Sequence, residues 1–309
     1  MSEDYEMINR LELYGDKIDI VIDSDTYNEV DDQFAIVYAL KSPDKFNVRA
    51  IYACPFYKPE YNKRSVSPED GMEKSYNEIL ELLNSMGISS CGFVYKGSRN
   101  FLIKDTKPAA SEAVTHLINL AMNEYSVDHP LNIIAIGAMT NIASAIILEP
   151  HICDRINITW LGGPIHSWND ASEFNLDQDI IATRVVFESD VSLTQVPCFG
   201  VASHLLTNIY ELENCLDFSI PVNSRLIETF RSYTKDHFAY SKEIWDIAPL
   251  AYLINRKEFT SSYICRRPQI TLDISYSTKN DTSFMRVIQS VNRNAIFRDM
   301  FTRLNNKEN

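Results

Sequence analysis

Short apolar runs alternate with amphipathic stretches along the first two thirds of the chain. Residues 18–23 (IDIVID) form an apolar run that ends in an aspartate, a pattern typical of a buried parallel strand. Residues 33–43 then predict a helix that stops at its proline, and residues 47–53 predict a second strand. Residues 55–71 read as a long loop, and residues 72–87 carry apolar side chains at helical spacing. The chain therefore begins as alternating strands and helices.

The alternation continues through the middle of the chain. We expect helices over residues 111–125, 140–150 and 182–189, and strands over residues 131–137, 156–163 and 191–198. Strands that alternate with helices build βαβ units, so the sequence predicts an α/β fold with a mostly parallel, Rossmann-like central sheet and helices on both faces. From about residue 205 the pattern is more helical, and no repeat or flexible linker interrupts residues 1–309, so we expect a single domain.

Composition excludes several classes of protein. The 29 Lys and Arg residues are outnumbered by 42 Asp and Glu residues, and the formal net charge is −13. This charge disfavours binding to a nucleic-acid polymer or to an anionic membrane surface. No apolar run is long enough to cross a bilayer, no signal peptide is visible, and the six cysteines have no CxxC spacing. We therefore expect a cytoplasmic protein with reduced cysteines.

An acidic cluster follows the first predicted strand directly. Asp23, Asp25, Glu29, Asp31 and Asp32 fall within ten residues, at the edge of the sheet where open parallel sheets bind ligands. Carboxylates this close repel one another, and a hard divalent cation would remove the conflict. The alternative is a solvated turn in which Asp31 and Asp32 cap the next helix. The two further aspartates at the strand end favour the cation.

The spacing of these aspartates is compatible with two enzyme families. Haloacid-dehalogenase-like phosphatases carry Asp-x-Asp-x-Thr after their first strand, but here Tyr27 occupies the place of the threonine. Nucleoside hydrolases carry Asp-x-Asp, a short turn and then Asp-Asp before an apolar helix. Asp23, Asp25, Asp31 and Asp32 resemble this second pattern, although the turn is longer here and lacks the usual Pro-Gly.

Three later segments strengthen the resemblance to nucleoside hydrolases. Residues 139–143 (MTNIA) resemble the family's Leu-Thr-Asn-(Ile/Leu)-Ala, although Thr140 and Asn141 are also ordinary N-cap residues. Residues 162–179 contain Gly-Gly, Glu-Phe-Asn and Asp in the family's order. Asp246 precedes an apolar helix as the family's metal-site aspartate does, and Trp245 stands where many members have histidine. Together the segments cover residues 17–251, and residues 283–301 resemble a helical tail.

The resemblance implies a role for each matching residue. Glu173 and Asn175 lie two residues apart and, in an extended segment, would point to the same side. Trp245 resembles the purine-preferring branch, where tryptophan stacks on the base, although a core aromatic residue is the alternative. The resemblance implies that Asp25, Asp32, Asp246 and the Thr140 carbonyl bind Ca²⁺, that Asp25 is the general base, and that Asp23 orients the loop. It implies that Asp31, Glu173 and Asn175 bind the ribose, with Asn169 at its 5′ side, and that Trp245 binds the nucleobase. The candidate acids are His237 and Tyr240, in a helical stretch, and then His166.

The implied activity is Ca²⁺-dependent hydrolysis of the N-glycosidic bond of ribonucleosides, which releases ribose and a free base. The resemblance further implies a preference for purine bases and a homodimer or homotetramer. Residues 54–71 are long enough to form a lid over the site. Two alternatives stay open at this point: a nucleoside- or ribose-binding homologue without catalysis, and a Mg²⁺-dependent phosphatase with Asp23 as nucleophile.

Overall fold

Eight strands form the central sheet of the molecule. A computed structural model describes residues 3–12, 15–60, 63–102, 107–254, 257–277 and 283–307. The described residues contain the strands β1 Ile18–Ser24, β2 Phe46–Ala53, β3 Val94–Lys96, β4 Leu131–Ala135, β5 Ile156–Leu161, β6 Ser192–Val196, β7 Leu206–Thr207, β8 Lys242–Glu243, β9 Thr260–Arg266, β10 Gln269–Ile270, β11 Tyr276–Ser277 and β12 Phe284–Val291. The sheet order is β3-β2-β1-β4-β5-β6-β12-β9, in which only the β12–β9 pair is antiparallel, and β7–β8 and β10–β11 form two small separate ladders.

Helices follow most strands of the sheet. Their bounds are α1 Glu3–Asn9, α2 Asp31–Leu40, α3 Pro68–Ser85, α4 Glu112–Glu124, α5 Thr140–Leu148, α6 Phe174–Gln178, α7 Ile180–Glu188, α8 Ile209–Cys215, α9 Pro221–Tyr233, α10 Ile247–Ile254 and α11 Arg293–Leu304, with 3₁₀ turns at Pro150–Asp154 and Ala202–His204. Among the described residues, no helix combines the length and the apolar character that crossing a bilayer requires.

Apolar cores cover both faces of the sheet. Strand β1 shows how one strand serves both cores, because Ile20 and Ile22 face one core and Val21 faces the other. The first core is closed by α2, α3, α8, α9, α10 and α11, and the second by α4, α5 and α7. The expected α/β fold, with a mostly parallel sheet between two layers of helices, is confirmed.

Helix α3 and the C-terminal tail differ from the sequence prediction. Helix α3 begins at Pro68, four residues earlier than predicted, because the Ser67 hydroxyl accepts a hydrogen bond from the Asp70 backbone N–H and proline suits the first helical turn. The expected helical tail over residues 283–301 is wrong in its first half. Phe284–Val291 is strand β12, inserted between β6 and β9, and only Arg293–Leu304 is helical.

Candidate functional site

A narrow acidic cavity opens at the carboxyl ends of the parallel strands. Its wall is formed by the turn after β1, the start of α2, the residue after β4, the start of α6 and the turn before α10. The lining residues are Asp25, Asn28, Glu29, Asp31, Asp32, Ile136, Glu173, Phe174, Asn175, Trp245 and Asp246. Seven residues singled out in the sequence therefore meet in one place: Asp25, Asp31, Asp32, Glu173, Asn175, Trp245 and Asp246.

Three carboxylates form the tightest group in the cavity. Asp31, Asp32 and Asp246 each offer an oxygen atom, and these atoms lie within 4.8 Å of one another. Asp31 and Asp32 open helix α2, and Asp246 comes directly before α10. The sequence had implied Asp25 rather than Asp31 beside Asp32 and Asp246. Asp25 lines the same cavity, so the structure brings four aspartates to one wall.

Burial dominates the electrostatics of this group. It raises the pKa of Asp25 well above its ordinary value, and the negative charges of Asp32, Asp31 and Glu29 raise it further. The pKa of Asp31 is likewise raised by burial and then by Glu29, while the positive charge of Lys242 opposes the shift. Asp25 Oδ2 and Asp31 Oδ2 are buried and have no hydrogen-bond donor within the described structure.

Asp32 and Asp246 share a side-chain hydrogen bond. Burial raises the pKa of Asp32 to about 7, although hydrogen bonds from the Ser24 hydroxyl and the Asp246 carboxyl lower it. The Ser24 hydroxyl donates to Asp32 Oδ1 over 2.6 Å and so fixes the side chain. Burial and the charges of Asp31, Asp32 and Asp25 raise the pKa of Asp246 well above its usual range. A cation among these oxygens would offset all of these repulsions.

The donor set fits a hard divalent cation. Carboxylate oxygens are the ligands that Ca²⁺ and Mg²⁺ prefer, and a buried carboxylate oxygen without a donor is costly unless it meets a cation. Asp25 Oδ2 and Asp31 Oδ2 are two such oxygens in the wall of the cavity. The acidic cavity therefore has both the chemistry and the unmet demand of a metal site.

Glu173 and Asn175 reach the cavity by a different geometry from the one predicted. The segment is helical instead of extended, and Glu173 is the N-cap of α6. Its carboxylate accepts hydrogen bonds from the backbone N–H groups of Gly163, Asn175 and Leu176. Burial nevertheless raises the pKa of Glu173. Asn175 Nδ2 donates to the Leu161 carbonyl over 3.1 Å, so both side chains are held in fixed positions.

An aromatic surface leads from the cavity toward solvent. Trp245 is half-buried in the cavity wall, and its ring centroid lies 5.9 Å from that of Phe199, which meets it edge to face. Trp168 stacks on Phe199 at 6.1 Å and is exposed. A planar ligand could stack on this surface.

Two predicted residues are buried beside the cavity and do not line it. Asp23 accepts a hydrogen bond from Asn141 Nδ2 over 2.7 Å, and burial raises its pKa to about 7. Thr140 opens α5, and its hydroxyl donates to Asp179 Oδ2 over 2.8 Å. Ile136 is the residue of the cavity wall that lies nearest to Thr140 along the chain.

The predicted 5′-side residue and the candidate acids also lie outside the cavity wall. Asn169 is on an exposed loop between β5 and α6. His237 and Tyr240 lie in an irregular segment after α9 ends at Tyr233, so the expected helical stretch is wrong. His237 Nε2 donates to the Arg231 carbonyl over 3.0 Å. His166 Nε2 is 2.7 Å from Gln195 Oε1, and burial lowers its pKa.

Sequence reasoning missed an ion pair at the cavity. Lys242 Nζ donates to Glu29 Oε2 over 2.7 Å, and the Tyr233 hydroxyl donates to Glu29 Oε1 over 3.2 Å. Glu29 lay in the acidic cluster but received no role of its own. Nothing near Lys242 in the sequence marks it as its partner, since the two are 213 residues apart.

One residue of the predicted lid loop lies beside Tyr233, whose hydroxyl donates to Glu29. Residues 61–62 of that loop lie outside the described residues. Arg64 Nη1 donates to the Tyr27 carbonyl over 3.1 Å, and its guanidinium carbon lies 5.1 Å from the ring centroid of Tyr233. Arg64 thus connects the loop after β2 with the turn after β1 and with the end of α9.

Comparison with known proteins gives consistent matches to one family. The family model described as inosine-uridine preferring nucleoside hydrolase matches residues 20–298. The pyrimidine-specific ribonucleoside hydrolase RihA of Escherichia coli O127:H6 is 26% identical over 254 residues, which are 75% of this chain and 78% of RihA.

Solved structures extend the match to nearly the whole fold. A purine-preferring ribonucleoside hydrolase from Gardnerella vaginalis has a TM-score of 0.71 and 22% identity, over 93% of this chain and 98% of that one. The plant nucleoside hydrolase PpNRh1 has a TM-score of 0.69 and 19% identity, over 94% of this chain and 99% of that one. At these identities the structural likeness concerns the fold.

Proposed function

The chain belongs to the inosine-uridine preferring nucleoside hydrolase family and is an N-ribosyl hydrolase, and we propose that it hydrolyses ribonucleosides in a calcium-dependent reaction with a preference for purine bases. One observation carries the proposal. Asp25, Asp31, Asp32 and Asp246 converge on one buried cavity, and Trp245 stands in the same wall. The relatives differ in base preference, since RihA is named pyrimidine-specific and the Gardnerella enzyme purine-preferring.

The proposed metal ligands among the aspartates of the cavity are Asp25, Asp32 and Asp246, with Asp31 beside them. Asp31, Asp32 and Asp246 are the closest set, and Asp25 lies in the same wall. The Thr140 carbonyl stays in the proposal from the family resemblance. When bound, Ca²⁺ supplies positive charge that makes water more acidic and attracts ribose hydroxyl oxygens.

The protein's own side chains account for water activation and ribose binding. Asp25 accepts the proton of the attacking water, because its Oδ2 is buried in the cavity wall and has no hydrogen-bond donor within the described structure. Asp31, Glu173 and Asn175 hold the ribose hydroxyls. The N-cap hydrogen bonds of Glu173 and the Leu161 contact of Asn175 keep these two groups preorganised.

The departing base stacks on Trp245 in this proposal. Trp245 is half-buried, and Trp245 and Phe174 are the aromatic residues of the cavity wall. A purine has a larger face than a pyrimidine and gains more from stacking, which is the basis for the proposed purine preference. His237 and Tyr240 lie outside the wall, so no proton transfer to the base is assigned to them.

Neither alternative from the sequence accounts for the site as well. A phosphatase would need Asp23 as an accessible nucleophile, but Asp23 is buried and bonded to Asn141, and membership of the hydrolase family removes this alternative. A binding protein without catalysis would not need Asp25 as a buried base beside the other aspartates.

A panel of nucleosides tests the proposed function. The purified protein is incubated with inosine, adenosine, guanosine, uridine and cytidine, with Ca²⁺ and with chelator, and ribose is measured as reducing sugar. The proposal expects release of ribose and base that stops with chelator. Absence of hydrolysis for all five, with Ca²⁺ demonstrably bound, would overturn it.

Assembly and compartment complete the proposal. We retain a homodimer or homotetramer and a cytoplasmic location, both of which rest on the family resemblance. Light scattering coupled to gel filtration measures the first, and cell fractionation measures the second.

A further inference from the structure

The turn after β5, formed by Gly162, Gly163 and Pro164, donates a backbone hydrogen bond to Glu173. The Gly163 N–H lies 2.8 Å from Glu173 Oε2. Gly163 has a φ of +67°, in the left-handed region that favours glycine. Since Glu173 is a proposed ribose ligand, the position of its carboxylate depends in part on how firmly this turn is held.

Two side chains donate to the carbonyl groups on either side of Gly163. Gln195 Nε2 donates to the Gly162 carbonyl over 2.8 Å, and the Tyr276 hydroxyl donates to the Pro164 carbonyl over 3.1 Å. Gln195 lies in β6 and Tyr276 in β11, so both donors come from elements that are distant from the turn in sequence. A Cβ at position 163 would lie only 2.4 Å from the Tyr276 hydroxyl oxygen, so the phenol packs directly against the turn.

The chemistry of the groups fixes the directions of these hydrogen bonds. A carbonyl can only accept, so the amide nitrogen of Gln195 faces Gly162 and its Oε1 is an acceptor. His166 Nε2 lies 2.7 Å from this Oε1 and therefore carries the proton. The Tyr276 hydroxyl donates to Pro164 and accepts from Gln195 Nε2 over 3.0 Å. His166 thus orients Gln195 and transfers no proton in this arrangement.

The segment before Tyr276 also holds the loop that leads to Glu173. The Ala171 N–H donates to the Ile274 carbonyl over 3.0 Å. The same short segment therefore contacts this loop near both of its ends, at Pro164 and at Ala171. Its contacts connect the β10–β11 ladder with the proposed ribose site.

We propose that Gln195 and Tyr276 are positioning residues for the ribose site, which fix the turn at Gly162 and Gly163 and, through it, the carboxylate of Glu173. The inference rests on the proposed function, in which Glu173 binds a ribose hydroxyl. A carboxylate that is already held in place loses little conformational freedom when the substrate binds. A looser turn should therefore weaken the interaction with that hydroxyl and leave the rest of the substrate's contacts unchanged.

Deoxynucleosides identify the hydroxyl that Glu173 binds. We compare kcat/KM for inosine with that for 2′-, 3′- and 5′-deoxyinosine, measured with excess enzyme, in the wild type and in Glu173→Gln. The analogue without the hydroxyl in question should be least affected by the substitution, because the hydrogen bond is already absent. We expect inosine to lose about 10- to 100-fold and this analogue less than about threefold.

Tyr276→Phe and Gln195→Met should reproduce the same selectivity in a weaker form. Each removes one donor from the turn, so kcat/KM for inosine should fall about 3- to 10-fold, with the smallest loss for the analogue that Glu173→Gln identifies. Tyr276→Phe added to Glu173→Gln should cause little further loss. Tyr95→Phe is the matched control, because the Tyr95 hydroxyl also donates to a backbone carbonyl, that of Gly92 over 3.0 Å, outside the cavity wall. It should keep the wild-type selectivity.

The outcomes distinguish this inference from the proposed function. An equal loss for inosine and all three deoxynucleosides in Tyr276→Phe and Gln195→Met, or no loss at all, would overturn the inference alone. If Gln195→Met does not fold, Tyr276→Phe decides, since it removes a single oxygen atom. Glu173→Gln without a selective loss would overturn the ribose role of Glu173 and this inference with it. Absence of hydrolysis of every ribonucleoside would instead overturn the proposed function.

Discussion

Lys242 and Glu29 form a buried ion pair that joins two distant parts of the chain at the cavity. Nζ and Oε2 are 2.7 Å apart, and the side chains are only 8% and 7% exposed. The pair fixes the turn after β1 against the segment before α10, which carries Trp245 and Asp246. The geometry of the acidic cavity therefore depends on the positively charged side chain of Lys242, which lies among several carboxylates.

Removal of the positive charge of Lys242 should destabilise the protein. Lys242→Met leaves Glu29 buried beside Asp31 without its partner, and we expect the free energy of unfolding to fall by about 3–5 kcal/mol. Denaturant unfolding measures the change. Adding Glu29→Gln to Lys242→Met should recover part of the loss, because it removes the unpaired charge.

The exposed pair of Arg99 and Glu69 provides the control for this prediction. Arg99→Met should change the free energy of unfolding by less than about 1 kcal/mol. A similarly small effect of Lys242→Met would show that the buried pair does not hold the cavity together.

Stability of the chelated protein should fall as the pH rises. Burial raises the pKa of Asp23 and Asp32 to about 7 in the folded state, above the ordinary value of 3.8. The folded state therefore binds more protons than the unfolded state between those two values, so the free energy of unfolding decreases through this window.

Thermal melts with chelator, at about pH 5.5 and about pH 8, measure this dependence. We expect a lower Tm at the higher pH, and a smaller difference with excess Ca²⁺, because a cation stabilises the ionised aspartates. A chelated protein whose Tm rises over this range would contradict the assignment of these carboxylates.

Substitution of Asp25, the proposed general base, should strongly lower turnover without unfolding the protein. Asp25→Asn should lower kcat by about 10²- to 10⁴-fold at saturating Ca²⁺, because the amide cannot accept a proton from water. Calorimetric Ca²⁺ titration of the variant separates loss of the base from loss of the metal. Asp128→Asn, an exposed aspartate outside the cavity, serves as the control and should retain full activity. Unchanged kcat in Asp25→Asn would remove Asp25 from the mechanism.

Stacking on Trp245 should affect purines most. Trp245→Ala should reduce kcat/KM by about 5- to 150-fold, with a larger loss for inosine than for uridine, whereas Trp245→Phe should retain most of the activity. Steady-state kinetics with both nucleosides measures the two losses. Equal losses would mean that Trp245 shapes the cavity and does not set the base preference.

Much of the fold and the acidic site could be predicted from local sequence. The apolar run before Asp23 and the helix that starts at Asp31 fix the ends of neighbouring elements, and parallel strands bring such ends to one edge of a sheet. Family motifs then added Glu173, Asn175 and Asp246. Each of these predictions used a signal contained within a few neighbouring residues.

The remainder depends on contacts that no local pattern encodes. Lys242 pairs with Glu29 across 213 residues of chain, and the carboxylate of Glu173 accepts from the backbone N–H of Gly163, ten residues earlier. For β12 a signal was present: Met285 and Val287 alternate with Arg286, the period of a strand, which a resemblance to a helical tail concealed.

Restoration of activity by calcium is the most direct test of the account. Chelated enzyme is titrated with Ca²⁺ while bound Ca²⁺ and the rate of inosine hydrolysis are measured on the same samples. We predict that the rate is negligible in the chelated enzyme and rises in proportion to bound Ca²⁺ until one ion occupies the cavity. Full activity in the chelated enzyme, or stoichiometric Ca²⁺ binding without any return of hydrolysis, would contradict the account.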